Sequence, residues 1–302
     1  MNDLYNLKQD ITAKVIKDSK YLNTRIITVE ATYPKFLQAE LNTHRMLVKN
    51  AASSRAIPMD SFSKNLFIPE KVGINKSGMA ATEYLEGNEL KLFQDDWLEI
   101  YSIVLEKVKY LKEKYNPHKQ LLNRLLEPFN MTKGVFTGTY DTWMHVLGLR
   151  NHPDAQPEIQ ELAQKIEMYI NKSTPQILKL GDWHLPYVDS VESGENDKNI
   201  KISASCIAQV SYRKVNESEE KALDIFEKLH LLNNDKNIKK HISPVQHICQ
   251  AVGENEISDE LFDFFYNDTH NKKYYAEMTN NFIQASKYIE NDNLLHLKKN
   301  IE

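Results

Sequence analysis

The chain has 302 residues, 38 basic and 42 acidic, with a formal charge of -4, a 41% hydrophobic fraction and a 26% charged fraction. Such values exclude a disordered or fibrous chain, and the mixed charge gives no long-range basic field, so no nucleic acid partner is expected and any phosphate must be held locally. Cys206 and Cys249, the only cysteines, form no CxxC or Cys/His pattern, which argues against a disulfide framework or a metal site and for a reducing, cytoplasmic setting.

From the N-terminus, residues 1–20 interleave Lys8, Asp10, Lys14 and Lys17 with apolar positions, a pattern that neither a secretory signal nor a membrane span tolerates. Residues 25–32 (RIITVEAT) alternate as a half-buried strand stopped by Pro34. A helix is predicted from there through KFLQAELNTHRML, placing Glu40, Thr43 and His44 on one face. Residues 61–86 read as a loop. Residues 95–115 read as a long amphipathic helix carrying Trp97, Ile100, Tyr101, Val104, Leu105, Val108 and Leu111. After Asn116-Pro117 a shorter helix carries Leu121, Leu122, Leu125 and Leu126, with Arg124 at the edge of its apolar stripe, and is closed by Pro128.

Residues 139–150 and 157–170 read as two further one-sided helices. The polar run 190–201 is the clearest linker in the chain. ISASCIAQVSY beyond it is strand-like or core-like, Ser218 is placed as the cap of a helix through Leu232, and the tail from Ile257 is read as helical. No repeat of fixed period is present. With nine glycines and no GxGxxG or GxxxxGK[ST] pattern, side chains rather than a glycine-rich loop must hold any nucleotide.

The densest polar cluster is residues 43–55 (THRMLVKNAASSR), with three cations, an imidazole and a run of hydroxyls. Guanidinium groups pair bidentately with phosphate and hydroxyls add hydrogen bonds, as an anionic nucleotide requires; on composition alone the run also reads as a solvated helix end.

This segment resembles the signature of the flavin-dependent thymidylate synthases, an Arg-His-Arg followed after seven residues by Ser and then Arg two further on. Here it reads Thr43-His44-Arg45, then Ser53 and Arg55, with Asn50 in place. Residues 123–130 (NRLLEPFN), 143–150 (WMHVLGLR) and 155–160 (AQPEIQ) are similar to the family's R-x-x-L-P, L-M-x-F-L-x-L-R and A-Q-x-E-I-Q. His241-Ile242-Ser243-Pro244-Val245-Gln246-His247 resembles its H-x-[ST]-P-F-E-H. In the family this last block comes first, so the chain resembles a circular permutant. Residues 1–189 then correspond to the central and C-terminal part, 190–201 to a linker, and 202–302 to the N-terminal part plus a helical tail, together one catalytic domain.

The resemblance implies an α+β fold, a twisted mixed β-sheet flanked by long α-helices, assembled as a homo-oligomer, a tetramer, whose sites draw on several subunits. It implies FAD-dependent methylation of a deoxynucleoside monophosphate, dUMP to dTMP, with NADPH and methylenetetrahydrofolate. Arg150 would polarise the pyrimidine as the catalytic residue, and Glu40, Ser53, Arg55 and Arg124 would join it in binding substrate. Thr43, His44, Arg45, Asn50, Thr139, His145, His241 and Ser243 would hold the cofactor. No Pro-Cys nucleophile motif is recognisable, which agrees with this class over the folate-only synthases.

The chain also departs from the pattern. Thr43 replaces the first arginine, Ala51 a Glu and Glu40 a Gln, while Thr139 and Asp141 replace the Asn and Arg of a flavin-contacting N-A-R and His145 an Asn. Two alternatives stay open: the same chemistry, methylation or hydroxymethylation, on dCMP, whose exocyclic amine a Glu40 carboxylate would accept, or a nucleotide-binding protein that has lost flavin. Arg124 as a cover over leucines and His241 and His247 as structural histidines are the competing local readings.

Overall fold

The computed structural model describes residues 2–77, 81–189, 196–210, 219–231, 240–252 and 281–287. After a short helix α1 (Asn2–Tyr5), strands β1 (Thr12–Tyr21) and β2 (Thr24–Pro34) form a hairpin. Helix α2 (Gln38–Thr43), strand β3 (Val48–Ala51), helix α3 (Met59–Phe62), the 29-residue helix α4 (Gly87–Tyr115) and helix α5 (Lys119–Leu122) lead to strand β4 (Met131–Thr139). Helices α6 (Tyr140–Arg150) and α7 (Pro157–Lys172) follow, then strands β5 (Gln176–Ile177) and β6 (Trp183–His184). Helices α8 (Asn196–Ala208) and α9 (Glu219–Lys228) and strands β7 (Cys249–Ala251) and β8 (Phe282–Gln284) complete the described elements. The main sheet runs β3-β4-β2-β1-β5, antiparallel except for β1 with β5, and a three-stranded sheet runs β6-β7-β8. This is the expected α+β mixed sheet with long helices.

Both faces of the sheet are covered, which corrects the half-buried reading of β2. Its odd positions Ile27, Val29, Ala31 and Tyr33 pack against Trp143, Val146 and Leu147 of α6 and Ile159, Leu162 and Ile166 of α7. Its even positions turn the other way: Ile26 packs with Leu178, Cys249 and Phe282, and Thr28 meets His184. In β1 a bulge between Val15 and Lys17 switches the alternation. Ala13 therefore packs toward α7, while Ser19 and Tyr21 face β6 and β8. β4 went unread in the sequence because Gly134 and Gly138 interrupt its pattern. At Gly134 a Cβ would lie 2.8 Å from the Phe136 ring and from the Tyr33 hydroxyl, so the close packing of that face requires glycine.

Several elements differ from the sequence reading. The helix after Pro34 stops at Thr43, and Val48–Ala51 pair with β4 instead, tertiary pairing overriding local propensity. α4 begins at Gly87, earlier than expected, and ends at Asn116, whose left-handed backbone (φ 44) caps it before Pro117. Residues 196–201 of the expected linker are the first part of α8, where Asp197 and Lys201 pair one turn apart; residues 190–195 lie outside the described residues. ISASCIA is helical rather than a strand, although its core character holds, with Ser203, Ala204, Ser205 and Ile207 buried. α9 ends at Lys228, short of Leu232, and Ser218 lies outside the described residues; of the tail expected to be helical from Ile257, residues 257–280 and 288–302 lie outside the described residues, and Phe282–Gln284 form strand β8 instead, pairing with β7. Among the described residues no helix is long and apolar enough to cross a membrane.

The layer of β6 to β8 is joined to the sheet by a buried polar chain. Ser19 Oγ lies 2.9 Å from His184 Nδ1, His184 Nε2 lies 2.8 Å from Thr28 Oγ1, Thr28 and Thr137 hydroxyls lie 2.7 Å apart, and Thr137 Oγ1 lies 2.8 Å from His247 Nδ1. A hydroxyl carries one proton, so the bonds run head to tail along the chain in one direction or the other, while His247 Nε2, outside the chain, is buried without a partner among the described residues. Burial holds the pKa of His184 and of His247 down at about 3, from 6.5. The unfolded chain takes up these protons below pH 6.5 and the folded chain does not, so their contribution is complete above 6.5 and is lost as pH falls toward 3. The loss is up to about 1.4 kcal/mol per pH unit for each ring. Denaturant unfolding at pH 7 and pH 5 should show a clear drop in stability at pH 5, and His247→Gln should flatten that dependence; equal stability at the two pH values would contradict the assignment.

Candidate functional site

The expected residues fall into two main groups. The first surrounds Arg150 in the last turn of α6, facing α2. Arg150 Nε donates to His44 Nε2 at 2.8 Å, Nη1 to Glu40 Oε2 at 3.2 Å, and Nη2 reaches Thr43 Oγ1 at 3.5 Å. The helical spacing of 40, 43 and 44 makes this possible, because the three side chains project from one end of α2. His44 can accept from Arg150 only as a neutral ring, and burial, followed by the Arg150 charge and then Lys49 and His145, lowers its pKa to about 4. Lys49 Nζ donates to the carbonyls of Leu41, Asn42 and His44 and so fastens the end of α2 to β3. A guanidinium held on three sides at a surface edge is a pre-oriented cation.

The second group is the loop 52–57 after β3. Its carbonyls are captured from below: Ala52 O by Lys35 Nζ, Ser54 O and Ile57 O by Asn123 Nδ2, and Ala56 O by Lys119 Nζ. The amide N–H groups of Ser53, Ser54 and Arg55 have no acceptor among the described residues, and the Ser53 and Arg55 side chains are exposed and equally unengaged. Arg124 stands beside this loop, its Nη1 3.4 Å from Glu127, and Glu127 accepts from Ser54 Oγ at 2.6 Å. Successive free N–H groups beside arginines form an anion-binding concavity. Lys35 is pulled below its usual pKa by burial, an effect that Glu127 opposes and Arg124 adds to.

No hydrogen bond or ion pair among the described residues joins Arg150 to Ser53, Arg55 or Arg124. Lys35, which holds the loop, and Thr43, which meets Arg150, are the two ends of the segment formed by a 3-10 turn (Lys35–Leu37) and α2. Sequence reasoning missed Lys35, Lys119, Asn123 and Glu127. Lys35 and Lys119 lie in no patterned motif, Asn123 and Glu127 lie in the 123–130 stretch beside Arg124 but at positions given no role there, and what these side chains do appears only when the 119–129 segment packs under the loop.

Of the positions expected to hold a cofactor, Thr43 and His44 are occupied with Arg150. Thr139 accepts from the Thr142 N–H at 3.2 Å as the cap of α6, so its hydroxyl serves the helix. Arg45, Asn50, His145, His241 and Ser243 make no side-chain hydrogen bond or ion pair among the described residues, and all but half-buried Asn50 are exposed. The 243–247 turn packs on β3, which carries Asn50 on the side facing it. Thr139, Tyr140 and Asp141 line a hollow of about 1180 Å³ with Arg25, itself paired to Asp18 at 2.6 Å. Among the described residues no cluster of His, Cys, Asp and Glu could hold a metal ion.

A family described as thymidylate synthase complementing protein matches residues 12–176, more than half of the chain. No curated protein matches it. Among solved structures, crystal structures of a UMP/dUMP methylase, PolB from Streptomyces cacaoi, bound with 5-Br UMP and with 5-Br dUMP, are similar at 16% and 15% identity. They cover 55% of this chain and 91% and 92% of their own, with a TM-score of 0.48 in each case.

The geometry around Arg150 makes His44 an acceptor across the physiological range. Following its ring protons by NMR should give a titration midpoint well below 6.5, rising only in part in Arg150→Gln because burial is the larger cause. A midpoint near 6.5 in the unaltered protein would contradict the pairing.

Proposed function

We propose, since the chain belongs to the thymidylate synthase complementing protein family, that it methylates C5 of a deoxypyrimidine monophosphate, dUMP to dTMP, in a flavin-dependent reaction with NADPH and methylenetetrahydrofolate. The observation that carries the reading is the loop 52–57: its carbonyls are taken by Lys35, Asn123 and Lys119, and three N–H groups are left beside Arg55 and Arg124 for a phosphate. In this reading Ser53, Arg55 and Arg124 hold the phosphate. Arg150, aligned by Glu40, Thr43 and neutral His44, stabilises the negative charge that develops on the pyrimidine as its C5 becomes nucleophilic.

The residues present fit a flavin in part of the expected set. Arg45, Asn50, His145, His241 and Ser243 offer a guanidinium, an amide, two imidazoles and a hydroxyl without competing partners, a donor set suited to an anionic dinucleotide. Thr139 contributes less, and the Asp141 carboxylate is adverse to phosphate. When bound, FAD would supply the redox half of the reaction. The packing of the 243–247 turn on β3 supports a permuted order of segments, with the 241–247 motif meeting in space the strand that follows the 43–45 motif. The absence of any bond between the two groups among the described residues supports sites completed by a second copy of the chain in a homo-oligomer, a tetramer in the family.

A second reading takes dCMP as substrate. Glu40 Oε2 is bound by Arg150 while the carboxylate stays partly exposed, so its other oxygen can accept from an exocyclic amine and would repel a uracil carbonyl. Release of label from C5 of dUMP or dCMP, with FAD, NADPH and methylenetetrahydrofolate present, tests both readings. Exchange is expected with one nucleotide, lowered about 100-fold or more in Arg150→Ala. Glu40→Gln should shift preference toward dUMP if dCMP is the substrate. Binding of nucleotide without any FAD binding or C5 exchange would leave only a nucleotide-binding protein.

A further inference from the structure

Glu127 is a carboxylate inside a site otherwise built for an anion, which is electrostatically adverse unless it serves the site in another way. Its contacts indicate how. The bond from Ser54 Oγ is short, 2.6 Å, and charge-assisted, and the Ser54 side chain is buried. The contact with Arg124 is long, 3.4 Å, and its guanidinium is more than half exposed, so that pair is weak and open to exchange for a better partner. Glu127 also acts on Lys35, favouring its charged form against the burial that disfavours it, and Lys35 in turn holds the Ala52 carbonyl.

From these contacts we propose that Glu127 is the positioning residue of the anion site. It anchors the loop through Ser54 and holds Arg124 loosely over it, so that Arg124 transfers to the phosphate when a nucleotide enters. The inference rests on the reading that the loop binds a nucleotide phosphate. A merely structural glutamate would affect all ligands alike; a positioning residue affects those that carry a phosphate.

The test is calorimetric binding of dUMP and of deoxyuridine to the full chain and to Glu127→Ala, Glu127→Gln and Ser54→Ala, with steady-state kinetics on the same proteins. Glu127→Ala should weaken dUMP about tenfold, leave deoxyuridine unchanged, and raise KM far more than it lowers kcat. Glu127→Gln, which still accepts from Ser54, should recover part of the affinity. Ser54→Ala should weaken dUMP, and adding it to Glu127→Ala should cost little more, because both remove one bond. Equal dUMP affinity in Glu127→Ala and the unaltered protein, or equal loss for dUMP and deoxyuridine, would overturn the proposal. If Glu127→Ala does not fold, unchanged dUMP affinity in Ser54→Ala overturns it instead. An unaltered protein that binds dUMP no better than deoxyuridine would refute the phosphate reading itself, a result independent of any variant.

Discussion

Everything else in the molecule depends on a sheet buried on both faces by chemically different means. Toward α6 and α7 the cover is apolar: Trp143 and Leu147 on one helix and Ile159, Leu162 and Ile166 on the other close over Ile27, Val29 and Phe136. Toward β6 to β8 it includes a line of hydroxyls and imidazoles from Ser19 through His184, Thr28 and Thr137 to His247. The members of this line satisfy one another except at His247 Nε2, which is buried without a partner among the described residues, and the line fixes the lateral position of the covering layer more closely than apolar contact would. The bulge in β1 is what allows one strand to serve both faces.

That fixed sheet gives the candidate site its geometry. α6 leaves β4 directly, its first turn capped by Thr139, and its length of 11 residues decides where Arg150 emerges. Trp143 Nε1 donates to the Ile27 carbonyl at 3.1 Å and so locks the rotation of α6 on the sheet, which turns Arg150 toward α2. β3, paired at the edge of β4, carries the chain from the Arg150 group to the loop 52–57. The Asn123 side chain, fully buried, holds that loop through two carbonyls. The two groups are therefore placed by the same strand pair, and their separation is a property of the fold rather than of side-chain rotamers.

Much of this was legible in the sequence, for identifiable reasons. The helical faces of 95–115 and 157–170 repeat over many turns, and their periodicity survives in α7 and in α4, where Tyr101 and Val108 are buried although Ile100 turns outward and Leu98 is buried in its place. The partnership of Glu40, Thr43 and His44 follows from one helical spacing, although nothing in spacing indicates that Arg150, more than 100 residues later, closes it. β4 was hidden by the glycines its close packing needs, and β3 by a sequence that reads as the end of a helix. The polar run before ISASCIA reads as a linker because its caps and charges suit a loop and a helix start equally, and residues 196–201 take the second option. The 123–130 pattern marks Arg124, but the roles of Asn123 and Glu127 within it, and of Lys35 outside it, arise from the packing of one irregular segment beneath another.

The central claim is that the Arg150 group and the loop 52–57 serve one reaction, meeting between copies of the chain. Subunit complementation tests it most directly. Arg55→Ala and Arg150→Ala would be prepared separately, each with C5 exchange strongly reduced, then mixed under conditions that let subunits redistribute. Partial return of exchange activity in the mixture is expected, because some sites would then draw an intact Arg55 from one copy and an intact Arg150 from another. A mixture as inactive as its parts, with redistribution verified, would contradict the account.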